Sequence, residues 1–165
     1  GSREAVSSRT TPISPRPDNP NTLVMRTLSK SFSLAGLRLG YAIGPEPLIA
    51  ALYKIKDSYN VDMLAQAAAL AALNDLDHMR ANVRRILETR ARLADELTRR
   101  GWTVLDSQSN FLFARPPRDD AAALFEQLRR AGIYVRYFPG PRTGAYLRIT
   151  IGTDDQVDAL LAQLR

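Results

Sequence analysis

There is no cysteine anywhere in the 165 residues. That excludes a disulfide scaffold, a cysteine-ligated zinc or iron–sulfur centre, and a thiol nucleophile. There is one histidine, His78, so no multi-histidine metal site can form and a Ser-His triad has a single candidate base. A metal site is not expected. Lysine is scarce: Lys30, Lys54 and Lys56 are the only three, and arginine supplies the rest of the 23 basic residues. No apolar run reaches the roughly 18–20 residues of a membrane span. Nothing resembles a signal peptide, so the cytoplasm is the expected compartment.

What is present is ordinary for a globular chain: 45% hydrophobic and 24% charged residues. The length fits one domain, or one and a fraction, at roughly 100–200 residues each. The net charge of +6 invites a nucleic-acid reading. Against it, no recognised module appears and aromatics are not interleaved with the bases. The arginines between Arg80 and Arg100 alternate with Glu88, Asp95 and Glu96, the pattern of a solvated helix face. A nucleic-acid partner is not expected.

Along the chain, Gly1-Ser2 reads as an expression scar, and prolines 12, 15, 17 and 20 mark residues 1–21 as an irregular leader. Strands are expected over 22–28 and 37–43, separated by the serine-rich SKSFSLAG. A helix over 46–57 follows Pro45. Residues 61–74 are rich in Ala and Leu and predict a buried helix. The apolar period over 76–100 predicts a long amphipathic helix stopped by Gly101. Strands at 102–105 and 111–114 come next. Asp119 or Asp120 should cap a helix through Arg130, ended by Gly132. Strands 133–138 and 146–151 and a helix capped by Asp154 complete the chain. From residue 102 the order is β-β-α-β-β-α, which predicts an α/β fold with a mixed or antiparallel sheet and helices on one face. Two strands and a helix before it cannot close a core of their own. Trp102, Phe111, Phe113, Tyr134 and Phe138 are expected in the core or on a cleft wall.

Lys30 stands in the loop between the first two strands, flanked by Thr27, Ser29, Ser31 and Ser33, with Arg38 eight residues on. A lysine amine can condense with a carbonyl, a nearby cation favours its neutral form, and hydroxyls with a guanidinium fork suit a phosphate. Spacing alone leaves the plainer reading open, an exposed lysine in a polar loop. His78, among Asp75, Asp77 and Arg80, reads as a surface or capping residue.

The string RTLSKSFSLAGLRLGYAIG, residues 26–44, resembles the cofactor-lysine segment of histidinol-phosphate aminotransferases, which are pyridoxal-phosphate-dependent enzymes of fold type I. The likeness continues through SYNVDMLAQAAALAAL (58–73), SNFLFAR (109–115), YVRYF (134–138) and YLRITIGT (146–153). It implies that this is the C-terminal part of such an enzyme. Residues 22–60 would then be a large-domain remnant, 61–75 a connecting helix and 76–165 the small domain. It implies pyridoxal 5'-phosphate as cofactor, Lys30 as the Schiff-base lysine, and Ser29 and Arg38 on the cofactor phosphate. Arg136, Arg148 and Asn110 would meet the substrate. For Arg148, alternation opposite Leu147 and Ile149 fits a cleft or plain solvent equally. The implied reaction moves an amino group between histidinol phosphate or its keto counterpart and the glutamate/2-oxoglutarate pair, in histidine biosynthesis, by a homodimer.

Family members run to roughly twice this length, as two-domain enzymes do. Their Asp-Glu-Ala-Tyr stretch has its nearest match in Arg3-Glu4-Ala5-Val6, where an arginine would repel a protonated pyridine nitrogen. The expectation is therefore that this polypeptide alone is inactive, binds cofactor weakly and self-associates. The alternatives are a non-catalytic or degenerate stand-alone domain of aminotransferase descent, and an aromatic amino acid aminotransferase.

Overall fold

A computed structural model describes residues 20–118 and 120–164. The leader up to residue 19, the Arg3–Val6 stretch and Asp119 lie outside the described residues. The chain divides into two compact units at the Asp75–Leu76 boundary.

In the first unit, β1 (Val24–Thr27) and β2 (Gly40–Ile43) form an antiparallel pair with Val24 opposite Ile43 and Thr27 opposite Gly40. A Cβ at position 40 would lie 2.7 Å from the Arg26 carbonyl oxygen, so only glycine allows this approach. The second strand starts three residues later than expected. Ala35–Leu37 form a single 3₁₀ turn and Arg38 is left-handed (φ 53°), so pairing begins only at Gly40. Helix α1 spans Glu46–Ile55 and α2 spans Met63–Asn74, whose first turn is capped by Asp62 accepting from the Ala65 N–H at 2.9 Å. The expectation that α2 is buried does not hold within this unit. Only Ala65 and Ala69 are buried, whereas Leu64 is 79% and Leu70 62% exposed. Apolar residues surround α2, and two strands and two helices offer too little surface to cover every side.

The second unit holds the core. Helix α3 (Leu76–Arg99) leads to β3 (Thr103–Val104), β4 (Phe111–Arg115), α4 (Ala121–Arg130), β5 (Arg136–Tyr137), β6 (Leu147–Thr150) and α5 (Asp154–Gln163). The four strands form one antiparallel sheet in the order β3-β4-β6-β5. Strand alternation sends Leu112, Ala114, Leu147 and Ile149 to one face, where they meet Leu93 and Leu97 of α3, Leu124 and Leu128 of α4, and Val157, Leu160 and Leu161 of α5. All three helices therefore cover the same face. Each fully buried leucine contributes about 1.5–3 kcal/mol of transfer free energy.

Helices α3 and α4 end in the same way. Gly101 (φ 82°) and Gly132 (φ 77°) take the left-handed conformation. Their N–H groups donate to Thr98 and Arg129, and the following Trp102 and Ile133 donate to Leu97 and Leu128. This double bond pattern satisfies carbonyls that the helix end would leave open. Trp102 is buried as expected, and Tyr134, 82% exposed, lies outside the core and lines the wall of a cleft against α5. The expected strand over 133–138 pairs only at Arg136 and Tyr137, because residues 133–135 are still leaving the α4 turn.

The cap of α5 is Thr153, not Asp154. The Thr153 hydroxyl accepts from the Gln156 N–H, and the Gln156 side chain accepts from the Thr153 N–H at 3.0 Å. Asp154 is used elsewhere: its carboxylate accepts from the Thr89 hydroxyl and from Arg92, which also pairs with Asp158 at 2.7 Å. The hydrogen bond to Asp158 is the largest influence holding the Arg92 pKa above its ordinary value, with desolvation opposing it. Thr153→Ala should lower the unfolding free energy by about 1 kcal/mol. The check is a shift in denaturant midpoint at an unchanged slope.

Candidate functional site

The candidate residues fall into two groups, one in each unit. Ser29, Lys30 and Arg38 share the loop that joins β1 to β2. The loop is pinned from beneath by Leu28, which is 3% exposed. The Leu28 N–H donates to Leu39 at 3.2 Å and its carbonyl accepts from the Leu34 N–H at 3.1 Å. Above this anchor the chain turns tightly, with the Ser33 N–H donating to the Lys30 carbonyl at 3.0 Å. Ser33, like Arg38, is a non-glycine residue at positive φ (58°). Such backbone persists only where the surroundings over-determine it.

The side chains follow from that backbone. Lys30 is exposed and its ammonium has no hydrogen bond or ion pair to any described residue. Thr27 Oγ1 accepts from the Ser29 N–H at 3.1 Å and lies 2.9 Å from Ser29 Oγ, which fixes that hydroxyl at the entrance to the loop. Arg38 Nη1 donates to the Ala35 carbonyl at 2.8 Å. One donor of its fork is thereby used and the rest of the guanidinium is left over. No described carboxylate pairs with Lys30 or Arg38 within ion-pair distance. One short loop thus presents a primary amine, a hydroxyl and a guanidinium, none neutralised. That donor set suits a ligand carrying both a carbonyl carbon and a phosphate.

In the second unit, the sheet face opposite the core carries Arg148, half-buried, with Arg136 as its register partner on β5. The Arg148 guanidinium carbon lies 5.3 Å from the Phe111 ring centroid and 5.5 Å from that of Phe138. The Arg136 carbon lies 5.6 Å from the same Phe138 ring. Arg148 Nε is buried without a hydrogen-bond partner. Phe113 stacks on Tyr146 at 4.8 Å further along this face. Asn110 stands just before β4. Its carbonyl accepts from the Ile151 N–H at 2.9 Å and its side-chain oxygen receives Ser109 Oγ at 3.4 Å.

The sequence reading placed Phe111 and Phe138 as core or wall, and their support of the arginines was missed. The signal was there: Phe138 is two residues beyond Arg136, and so on the same strand face. His78 is exposed on the first turn of α3 with Nε2 at 2.9 Å from the Asn82 side-chain nitrogen. A cleft of about 510 Å³ between the Ile133–Val135 segment and α5 has no charged side chain in its lining. Among the described residues no cluster of three or more His, Asp or Glu could hold a metal ion, and no helix is long and apolar enough to cross a membrane.

Residues 5–164 match the family model described as aminotransferase class I and II. A histidinol-phosphate aminotransferase of Nostoc sp. is 47% identical over 148 residues, which cover 90% of this chain and 42% of that relative. One from Thiobacillus denitrificans is 49% identical over 151 residues, again covering 42% of its length. Among solved structures, the histidinol-phosphate aminotransferase of Sinorhizobium meliloti, in complex with pyridoxal-5'-phosphate, superposes with a TM-score of 0.78 at 30% identity. That match covers 89% of this chain and 41% of the other. The chain therefore spans about 42% of the length of the curated relatives it matches.

Proposed function

The chain belongs to the aminotransferase class I and II family, and from that membership we propose that a full-length protein containing it is a pyridoxal-phosphate-dependent aminotransferase of histidinol phosphate. The observation that carries the reading is the pinned loop of the first unit, which carries an unpartnered Lys30 amine, the Ser29 hydroxyl and the Arg38 fork. When bound, the cofactor supplies an aldehyde carbon that takes up amino groups and a ring that draws electrons from the substrate.

The residues of this chain do the rest. Lys30 would hold the cofactor through Nζ, and its amine would move the proton at the substrate Cα. Ser29 Oγ and Arg38 donate to the phosphate, which orients the ligand against the fixed loop. Arg136 and Arg148 bind the anionic end of the substrate, a task suited to planar guanidinium forks. Asn110 orients a polar group of the substrate nearby. The amino acceptor in this reading is 2-oxoglutarate, the working compartment is the cytoplasm, and the assembly is a homo-oligomer.

Borohydride provides a sharp test. After incubation of the full-length protein with pyridoxal phosphate and reduction, the label should lie on the peptide containing Lys30. A label on any other lysine instead, or histidinol phosphate left unconverted by the full-length protein, would overturn the proposal.

A further inference from the structure

Arg136 and Arg148 are direct partners across β5 and β6, so two like charges face each other at one register position. Neither forms an ion pair with a described carboxylate. What the structure gives them in common is a ring: Phe138 lies under both guanidinium carbons, at 5.6 and 5.5 Å from its centroid. A ring face attracts a cation within about 6 Å without neutralising it. Both positive charges are therefore held in place and remain whole. Phe138 is 36% exposed and is absent from the buried cluster of the second unit, so its position is not explained by core packing.

We propose that Phe138 is a positioning residue that holds Arg136 and Arg148 as a preformed pair for a doubly charged oxyanion such as a phosphate group. The inference rests on the reading above that these arginines face the anionic end of the substrate. Its logic is electrostatic. Without the shared ring Arg148 keeps its contact with Phe111, but Arg136 loses its ring and is free to swing away from Arg148, because nothing then opposes their repulsion. A dianion that needs both must then draw them together, and affinity falls. A monoanion that engages one arginine does not meet this penalty.

The test uses the 165-residue chain and two probes, inorganic phosphate and acetate, titrated at pH 8 and constant ionic strength. Binding is followed through the NMR resonances of the arginine Nε–H groups. Phe138→Met removes the ring and keeps the bulk, and Phe138→Tyr keeps the ring. The unchanged chain and Phe138→Tyr should bind phosphate alike. Phe138→Met should bind it roughly threefold to tenfold more weakly, from the loss of two cation–ring contacts. Its acetate affinity should be unchanged, Arg136 Nε–H should lose its ring-current shift, and Arg148 Nε–H should keep the part that Phe111 supplies. A purely structural role for Phe138 would weaken both anions together and would overturn the proposal, as would equal phosphate binding by the Met and Tyr variants. If phosphate moves no arginine resonance in the unchanged chain, the anion-site reading fails and takes this proposal with it.

Discussion

Lys30→Ala in the full-length protein should reduce transamination by roughly 10⁴-fold or more, because in the proposed reading one side chain would supply both the covalent hold on the cofactor and the proton transfer at substrate Cα. Cofactor binding should survive in part. The Ser29 hydroxyl and the Arg38 fork remain on the loop, and the backbone bonds that pin it, Leu28 to Leu39 and Leu34 to Leu28, involve no Lys30 side-chain atom. The variant should therefore bind pyridoxal phosphate in a form that dialyses away and that borohydride no longer fixes to the protein. Arg38→Ala should show the opposite pattern, a weaker cofactor affinity with the covalent label still on Lys30. Steady-state turnover and mass spectrometry after reduction separate the two. Normal turnover by Lys30→Ala would remove the lysine from its assigned role.

Leu147→Ala should have the largest effect on stability. Leu147 is fully buried at the centre of the sheet, opposite Ala114 on β4 and Tyr137 on β5, and belongs to the cluster that gathers all three helices of the second unit. Truncation loses the transfer free energy and leaves a cavity, at a cost of about 2–5 kcal/mol. In a unit of this size that lowers the melting temperature by more than about 10 °C. The same substitution at Leu70 on α2, 62% exposed, should leave the melting temperature nearly unchanged. It should instead reduce light scattering at high concentration. Met25, Tyr53, Ile55, Met63 and Leu64 are each at least 70% exposed in the first unit, and an apolar surface of that kind favours association. If Leu70→Ala destabilised the chain as much as Leu147→Ala, the division between a core-bearing and a core-poor unit would be wrong.

How much of this could be read beforehand varied by element. Long periodic segments and their stops were legible. The α3 and α4 ends at Gly101 and Gly132 were named from the glycines, and the left-handed φ values there follow from the missing Cβ. The alternation of Leu147, Arg148 and Ile149 correctly set the arginine opposite the core, since strand geometry permits no other arrangement. Two local competitions were misread. Thr153 and Asp154 are both good caps, and Asp154 was drawn away by Thr89 and Arg92, residues more than sixty positions earlier in the chain. Leu37–Leu39 looks like a strand, but the 3₁₀ turn and the left-handed Arg38 delay pairing until Gly40.

The family, the lysine-bearing loop and the β-β-α-β-β-α order are legible in the chain alone, because they rest on local strings, on glycine and proline positions, and on side-chain period. Long-range packing supplies what no local string contains. It set the strand order β3-β4-β6-β5, confined the core to the second unit, left α2 largely uncovered within the first, and placed Phe138 beneath two arginines on different strands. Those outcomes depend on contacts between residues far apart in the chain, and such contacts are chosen by which surfaces can be buried together rather than by the propensity of any one segment.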